Sequence, residues 1–323
     1  MESIPIANMK HPLFSIITVS YNSSKFIRDT IESVLASTFQ DFEYIIGDDC
    51  STDNTWEIIE EYNDSRIIKY RNVTNLREYP NRNKAISMAK GEWILFIDGD
   101  DLIYSHALSF IQSQINLAPD VLMLLMKWYR KEFFYPIKIS PRDFFLEYYF
   151  NLGFLGTAFT NVIFNSRILK KYINDVDWEN IRFGDDFLRL RIALEGDCLI
   201  ITDQLTFWRE STNQVSKSYL NDSLAYLETL ENRIYFLQEA RKRDILTGLE
   251  HNFILRTFSR EYFKFILKEC FKLKYANIFR KLKNVGLLIN IFNQKCRIQL
   301  PFEEYTPDNL LNFSKSLNRL NSK

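Results

Sequence analysis

The chain has 323 residues, of which 46% are hydrophobic and 25% charged, and its formal net charge is zero. This balance is typical of a globular protein, and it gives no basis for nucleic-acid binding. The length suits either one large domain with an appendage or two domains. The four cysteines are far apart and form no Cys-x-x-Cys pair, so they indicate neither a zinc site nor a disulfide framework: Cys50, Cys198, Cys270 and Cys296.

Targeting signals are not evident in the sequence. The first ten residues form only a short stretch, and polar positions interrupt its few apolar residues, which does not fit a signal peptide. No run reaches the roughly 20 apolar residues that a membrane span needs. We therefore expect a cytoplasmic protein, with peripheral contact on the cytoplasmic face of a membrane as a second interpretation.

The first hundred residues alternate between strands and helices. Strands are predicted where β-branched and aromatic residues run together, and helices where apolar residues recur three or four apart. A polar stretch, Asn72–Arg82, contains Pro80 and is predicted to be a loop. In chain order the other elements are strand Phe14–Ser20, helix Phe26–Leu35, strand Phe42–Gly47, helix Trp56–Tyr62, strand Ile67–Tyr70, helix Asn83–Lys90 and strand Trp93–Ile97.

This alternation predicts an α/β fold with a doubly wound, mostly parallel sheet. Three of the strands end in polar residues: Ser20-Tyr21-Asn22, Asp48-Asp49 and Asp98-Gly99-Asp100. Because ligands of such sheets bind at the carboxyl ends of the strands, these three groups are predicted to meet in one cleft.

The sequence Asp98-Gly99-Asp100-Asp101 follows the apolar strand Trp93–Ile97 directly. Asp98 and Asp100 are two residues apart and point to the same side of an extended chain. Two such carboxylates beside a glycine suit a divalent cation and a diphosphate. The plain alternative is an acidic turn after a buried strand, since Asp and Gly are ordinary turn residues.

The middle of the chain continues the pattern less regularly. Residues Ile137–Ile163 are aromatic and poor in charge, which fits either a buried connector or one wall of an acceptor site. An acid at a helix N-terminus, as at Asp185, is often only a cap. The further predictions are helix His106–Asn116, strand Pro119–Met126, loop Asp175–Gly184, helix Asp185–Glu195, and strands Leu199–Thr202 and Leu205–Arg209.

Glycine almost disappears after residue 220, and helical patterns continue to the end. We predict a catalytic domain at residues 1–220 and a helical C-terminal region at 221–323. The segment Phe253–Leu273 interleaves an aromatic stripe with lysines and arginines, which suits an anionic membrane surface. Packing against the first domain, with the basic side chains in solvent, is equally compatible.

Four ordered motifs resemble those of the inverting glycosyltransferases of family 2, which have the glycosyltransferase A fold. The resemblance covers roughly Pro12–Ser216. The matching segments are Ile16-Ile17-Thr18-Val19-Ser20-Tyr21-Asn22, Ile45–Asp53, Arg82-Asn83 with Ala89–Asp101, and Gly184-Asp185-Asp186 with Leu188 and Arg191. Three positions depart from the pattern: Cys50 replaces a common Gly or Asn, Gly184 a common Glu, and Ser211 a common His.

The resemblance implies a role for each motif. Asp100 would hold Mg²⁺ or Mn²⁺ against the diphosphate, and Asp185 would be the catalytic base, with its neighbour Asp186 as the other candidate. Asp101 receives no role, and we expect its loss to be the mildest among the three clustered acids. The residues implied in donor binding are Thr18, Ser20, Tyr21, Asp49, Arg82 and Asp98.

The predicted activity is therefore the metal-dependent transfer of a sugar from a nucleotide diphosphate sugar, with UDP favoured. The acceptor would be a hydroxyl of a glycan or a lipid-linked oligosaccharide in surface polysaccharide synthesis. A nucleotidyltransferase is the competing enzyme, although Tyr21-Asn22-Ser23-Ser24 lacks the glycine-rich loop of that class. An inactive relative acting as a scaffold is the alternative outside catalysis.

Overall fold

The computed structural model describes residues 11–126, 136–150, 159–173, 184–201, 205–209 and 223–257. The chain divides into two compact units, Met1–Tyr129 with Tyr135–Leu246, and Arg130–Phe134 with Thr247–Lys323. In the second unit the described residues are 247–257, of which 248–257 are helical. All elements below belong to the first unit.

Within the described residues, eight strands form one mixed sheet in the order β3-β2-β1-β4-β8-β6-β9-β7. The strands β8 and β7 run antiparallel to their neighbours, and the remaining pairs are parallel. The mostly parallel sheet is thus confirmed. The strands are β1 (Phe14–Ser20), β2 (Phe42–Asp48), β3 (Ile67–Arg71), β4 (Trp93–Phe96), β5 (Leu102–Ile103), β6 (Met123–Met126), β7 (Ile137–Ile139), β8 (Val162–Asn165), β9 (Cys198–Ile201) and β10 (Thr206–Phe207).

Helices connect these strands. Helix α1 shows the pattern clearly, since Ile27, Ile31 and Val34 lie on one buried face. Strands β1, β2 and β4 are buried along their whole length, as central strands covered on both faces should be. The helices are α1 (Ile27–Leu35), α2 (Thr55–Glu60), α3 (Glu78–Met88), α4 (Ala107–Leu117), α5 (Pro141–Phe150), α6 (Ser166–Tyr172), α7 (Gly184–Ala193) and α8 (Ser223–Lys242), with a 3₁₀ turn at Phe159–Asn161.

Helix α3 corrects one sequence prediction. It begins at Glu78, five residues before the predicted start at Asn83, so part of the expected loop is helical. Pro80 is the third residue of the helix and does not prevent this, because the first N–H groups of a helix have no intrahelical acceptor. A proline near the start of a helical pattern was therefore misread as a loop signal.

The later predictions differ in detail. The aromatic connector contains β7, α5 and β8 in its described parts, and five aromatic or aliphatic side chains of α5 are buried. Within the predicted strand Leu205–Arg209, Thr206–Phe207 form the two-residue strand β10, which pairs with β5 outside the main sheet. Three predictions fall outside the described residues: the loop at 175–183, the part of the segment Phe253–Leu273 that follows residue 257, and the domain boundary near residue 220. No helix in the described part of the chain has the length and apolar character needed to cross a bilayer.

Candidate active site

The carboxyl ends of β2, β1 and β4 lie side by side, as the strand–helix alternation predicts. Ser20 is in register with Asp48, and the Asp49 N–H donates to the Ser20 carbonyl at 2.9 Å. On the other side of β1, the Ile97 N–H donates to Ile17 at 2.9 Å, which places Asp98 just beyond the same edge. The polar groups at the ends of three separate strands are therefore brought together.

Of the predicted donor residues, Thr18 and Ser20 lie on β1 and Tyr21 follows it directly, but Thr18 lies beneath the edge. The Thr18 side chain is fully buried, and its hydroxyl donates to the Ile97 carbonyl at 2.7 Å, so it joins β1 to β4 beneath the edge. The buried Ser20 Oγ has no partner among the described atoms, and the Tyr21 ring is half exposed. A Cβ on Gly99 would lie 2.9 Å from the Ser20 Cβ, so the acidic turn approaches β1 closely only because residue 99 is glycine.

Asp49, at the end of β2, orders the approach to α3. Its side chain is buried and accepts hydrogen bonds from the Asn72 Nδ2 at 2.8 Å and from the Leu76 and Arg77 N–H groups at 2.9 Å each. A carboxylate offers about four acceptor positions. The predicted contact with the nucleobase would therefore use acceptor capacity that these three bonds leave free.

The buried Arg82 forms an ion pair with the partly exposed Asp98. Arg82 is 2% exposed, and one terminal nitrogen donates to Asp98 at 2.5 Å and to Glu78 at 3.0 Å. The guanidinium carbon lies 5.3 Å and 4.8 Å from the ring centroids of Phe96 and Phe159. The other terminal nitrogen, Nη1, has no partner among the described atoms. Arg82 thus fixes Asp98 and retains N–H groups suited to a phosphate.

The acids after β4 differ in environment. Burial, followed by the charge of Asp98, raises the pKa of Asp100, and the same causes raise the pKa of Asp101 to about 8. Asp101 is 1% exposed: its Oδ1 accepts from the Arg209 N–H at 3.1 Å, and its carbonyl accepts from the Thr30 hydroxyl at 2.8 Å. Such burial argues against the expectation that loss of Asp101 is the mildest of the three.

The residues at this edge fit a hard divalent cation in part. Carboxylate oxygen is the ligand type that Mg²⁺ and Mn²⁺ prefer. A bound cation would also lower the raised pKa values of Asp100 and Asp101 by compensating their negative charge. Asp101 also has a buried Oδ2 without a partner among the described atoms. Within the described part of the chain, however, no three His, Cys, Asp or Glu side chains are grouped for metal binding. The protein would supply one or two ligands, and diphosphate oxygens or water the rest.

The two acids that open α7 have different surroundings. Burial raises the pKa of Asp185 to about 6, against a lowering effect of Arg189. The buried Asp186 accepts from the Tyr148 hydroxyl at 2.6 Å and from Arg189 at 2.5 Å. Asp186 is therefore already engaged by protein groups, whereas burial holds the pKa of Asp185 above its ordinary value.

The first turn of α3 connects the strand edge with α7. Burial and then the charge of Asp185 raise the pKa of Tyr79, and the charge of Glu78 contributes to the raised pKa of Asp185. Glu78 also pairs with Arg82, which holds Asp98. The structure therefore brings Asp98 and Asp185 to the same helix turn. Sequence reasoning missed Glu78 and Tyr79, although the i,i+4 spacing of Glu78 and Arg82 was a signal for a helix starting there.

Arg209 secures the segment beyond β10. Besides its N–H bond to Asp101, its guanidinium donates to Asp29 at 2.7 Å and lies 5.2 Å from the Phe26 ring centroid. It therefore ties this segment to α1. Ser211, one of the three positions that depart from the family pattern, lies outside the described residues.

The mostly parallel sheet, with polar groups gathered at the carboxyl ends of β1, β2 and β4, is the arrangement expected of a glycosyltransferase A-type fold. Residues 15–191, more than half of the chain, match the model of Glycosyl transferase family 2, and the chain belongs to this family.

Relatives and solved structures agree with this assignment. The chain is 46% identical over 89 residues to the Escherichia coli UDP-Glc:alpha-D-GlcNAc-diphosphoundecaprenol beta-1,3-glucosyltransferase WfaP, covering 28% of this chain and 36% of WfaP. It is 25% identical over 234 residues to glycosyltransferase GlyG of Streptococcus pneumoniae, covering 66% and 76% of the two chains. The alignment with WfaP thus spans only about a third of that relative's length.

The same fold occurs in S. aureus TarS 1–349 crystallised with UDP, with a TM-score of 0.64, 22% identity, and coverage of 88% of this chain and 81% of that one. It also occurs in the mannosyltransferase PcManGT of Pyrobaculum calidifontis, in complex with GDP-Man and Mn²⁺, with a TM-score of 0.55, 13% identity, and coverage of 97% and 87%. At these identities the likeness concerns the fold alone.

Proposed function

We propose that this protein transfers a sugar from a UDP-sugar to a hydroxyl of a glycan or lipid-linked acceptor, with inversion at the anomeric carbon. The observation that carries the proposal is the turn of α3, which joins the ion-paired Asp98 at the strand edge to Asp185 on α7. A donor site and a separate base of raised pKa are the two parts that such a reaction needs.

The donor would lie along the ends of β1, β2 and β4. Asp49 would accept from the nucleobase. Ser20 offers a hydroxyl without a partner among the described atoms, and Tyr21 offers a half-exposed ring. The spare nitrogen of Arg82 suits a diphosphate oxygen. UDP is proposed because WfaP uses UDP-Glc by its name and TarS 1–349 has been crystallised with UDP.

Asp185 would take the proton of the acceptor hydroxyl. As that oxygen attacks the anomeric carbon, a new C–O bond forms and the bond to the diphosphate breaks, which inverts the centre. With a pKa of about 6, Asp185 is mostly ionised at neutral pH and still basic enough to assist. Asp186 is a poorer candidate because Tyr148 and Arg189 occupy its oxygens.

A divalent cation held by Asp100 would neutralise the charge that develops on the departing diphosphate. Mn²⁺ and Mg²⁺ are both compatible with carboxylate ligands. Arg82 supplies fixed positive charge on the same side, so the chain's own contribution is to orient the diphosphate and stabilise it before the bond breaks.

The acceptor is proposed by analogy with relatives. WfaP acts by name on a diphosphoundecaprenol-linked sugar, and TarS on poly(ribitol-phosphate). We propose a lipid-linked glycan acceptor and a location at the cytoplasmic face of a membrane. The family match favours a glycosyltransferase over a nucleotidyltransferase.

The test uses the full-length protein with UDP-glucose, UDP-GlcNAc and GDP-mannose, with Mn²⁺, Mg²⁺ or EDTA. Release of nucleoside diphosphate is followed with α-D-GlcNAc-diphosphoundecaprenol and with water as acceptors. We expect turnover with a UDP-sugar and its loss in EDTA. Asp185→Asn should bind UDP as tightly as the wild type by calorimetry but transfer nothing. Absence of turnover with every donor would favour the inactive scaffold, and normal transfer by Asp185→Asn would remove the proposed base.

A further inference from the structure

Asp186, the second acid of α7, is held by side chains from three helices. Its Oδ2 accepts from the Tyr148 hydroxyl of α5 at 2.6 Å, and its Oδ1 accepts from Arg189 of α7 at 2.5 Å. Arg233 Nε of α8 lies 3.9 Å from Oδ2. A buried carboxylate is stable only if its charge is compensated and its oxygens are hydrogen bonded, and here both conditions are met.

Arg233 closes this group into a network, which we call the Asp186 clamp: Tyr148, Asp186, Arg189 and Arg233. Its Nε donates to the Tyr148 oxygen at 2.9 Å, and its guanidinium lies 5.4 Å from the Tyr148 ring centroid. The Arg233 carbonyl also accepts from the Tyr149 hydroxyl. Because Tyr148 donates to Asp186 and accepts from Arg233, its hydroxyl links an acid and a base from two other helices.

The clamp acts on the residue next to Asp185. Successive side chains of an α-helix are about 100° apart, so fixing Asp186 toward α5 and α8 turns Asp185 away from them. The charges of Glu78 on α3 and of Asp186 and Arg189 on α7 act on Asp185. The charge of Asp185 in turn acts on Tyr79 of α3. The contacts of Asp186 with α5 and α8 therefore set the rotation of the first turn of α7, and with it the direction of Asp185.

We propose that Asp186, Tyr148 and Arg233 are positioning residues that orient Asp185 to take the proton of the acceptor hydroxyl as its oxygen attacks the anomeric carbon. The proposal rests on the proposed function, in which Asp185 is the base. It extends the catalytic unit beyond residues 15–191, the segment that the family model matches, because Arg233 lies on α8. A catalytic domain ending at residue 220 would lack one member of the clamp.

The main test compares Arg233 on α8 with Arg243 just after that helix, which pair with acids near opposite ends of α7. Arg233→Gln removes a clamp member, whereas Arg243→Gln removes an ion pair of 2.7 Å to Glu195, beyond the other end of α7. We expect Arg233→Gln to lower kcat by about tenfold to a hundredfold, as small misplacements of a reacting group do, and to leave KM for the donor within about twofold. Arg243→Gln should change kcat by less than about twofold. Equal losses in both variants would mean that α8 is only a structural support, and an unchanged Arg233→Gln enzyme would remove the clamp from catalysis.

Coupling within the clamp gives a second test. Tyr148→Phe should also lower kcat, and the double variant Tyr148→Phe/Arg233→Gln should be no slower than the poorer single variant, because the two act on one carboxylate. Additive losses would contradict a shared role.

The pH profile separates positioning from simple loosening. The charge of Asp186 raises the pKa of Asp185, so Asp186→Asn should move the acidic limb of kcat to lower pH while reducing its maximum. A ¹³C NMR titration of the Asp185 carboxyl measures the same shift without catalysis. An unchanged pKa would refute the clamp. A wild-type protein that releases no UDP would instead refute the proposed function, so the two failures are distinguishable.

Discussion

Replacing Asp185 with Asn should stabilise the protein while abolishing transfer. Burial raises the pKa of this carboxyl from 3.8 to about 6, which means that the folded environment disfavours its charged form. Asn has nearly the same shape and carries no charge. The variant therefore removes a destabilising interaction together with the proposed base.

The size of the effect follows from the pKa difference. Two pKa units correspond to at most about 3 kcal/mol, at 1.36 kcal/mol per unit. Since the pKa of Asp185 is higher in the folded chain, the folded chain holds more protons between about pH 4 and pH 6. Wild-type stability should fall as the pH rises through that window, and the full penalty should be present above it.

The assay is thermal or urea denaturation at pH 7.5 and pH 4.5. We expect Asp185→Asn to melt several degrees above the wild type at pH 7.5, and above it by only about a third of that difference at pH 4.5, where the folded carboxyl is mostly protonated. The adjacent Asp186→Asn is the matched control: it leaves Arg189 and Arg233 without their carboxylate, and should destabilise by about 3 kcal/mol. The reasoning would be refuted if Asp185→Asn gained no stability at pH 7.5, or gained the same amount at both pH values.

Three further predictions concern other parts of the chain. Asp100→Ala should lose the increase in UDP release that Mn²⁺ gives over EDTA, and a normal metal response would show that Asp100 is not a ligand. Cys50 has a φ of 63°, so Cys50→Asn should raise stability by about 1 kcal/mol, measured by denaturation, because Asn tolerates this left-handed conformation better. A chain ending at Leu246 should sediment less with anionic liposomes than the full-length protein if the basic helical segment binds membranes. Equal sedimentation of two folded proteins, checked by circular dichroism, would contradict that interpretation.

The strands were predicted well because their signal is local. Apolar runs such as Phe14–Ser20 and Phe42–Gly47 contain the residues that a central strand buries, and the polar residues after them mark the edge. Their convergence followed from the rule that parallel strands share one carboxyl edge. The antiparallel direction of β8 and β7 was not predicted, since no local pattern encodes the direction in which a later strand joins the sheet.

Ranking the acids of the site required long-range contacts. Asp101 resembles Asp98 and Asp100 in sequence, but Thr30 and Arg209, which are distant in the chain, make it the most buried of the three. Likewise, Asp185 and Asp186 are adjacent and equally acidic. They are distinguished by Tyr148 and Arg233, whose roles no pattern near residue 185 could reveal.

The start of α3 shows why the donor and base parts of the site should not be treated as independent. Asp49 accepts the N–H groups of Leu76 and Arg77 immediately before the helix begins at Glu78. Arg77 has a φ of 74°, and no side chain of its own caps the helix, so these two bonds set its starting point. The first turn then supplies the contacts to Asp98 and Asp185. Loss of Asp49 would therefore disturb the Arg82 ion pair and the surroundings of Asp185 as well as the proposed nucleobase contact. A fall in kcat in such a variant would consequently not by itself assign Asp49 to the chemical step.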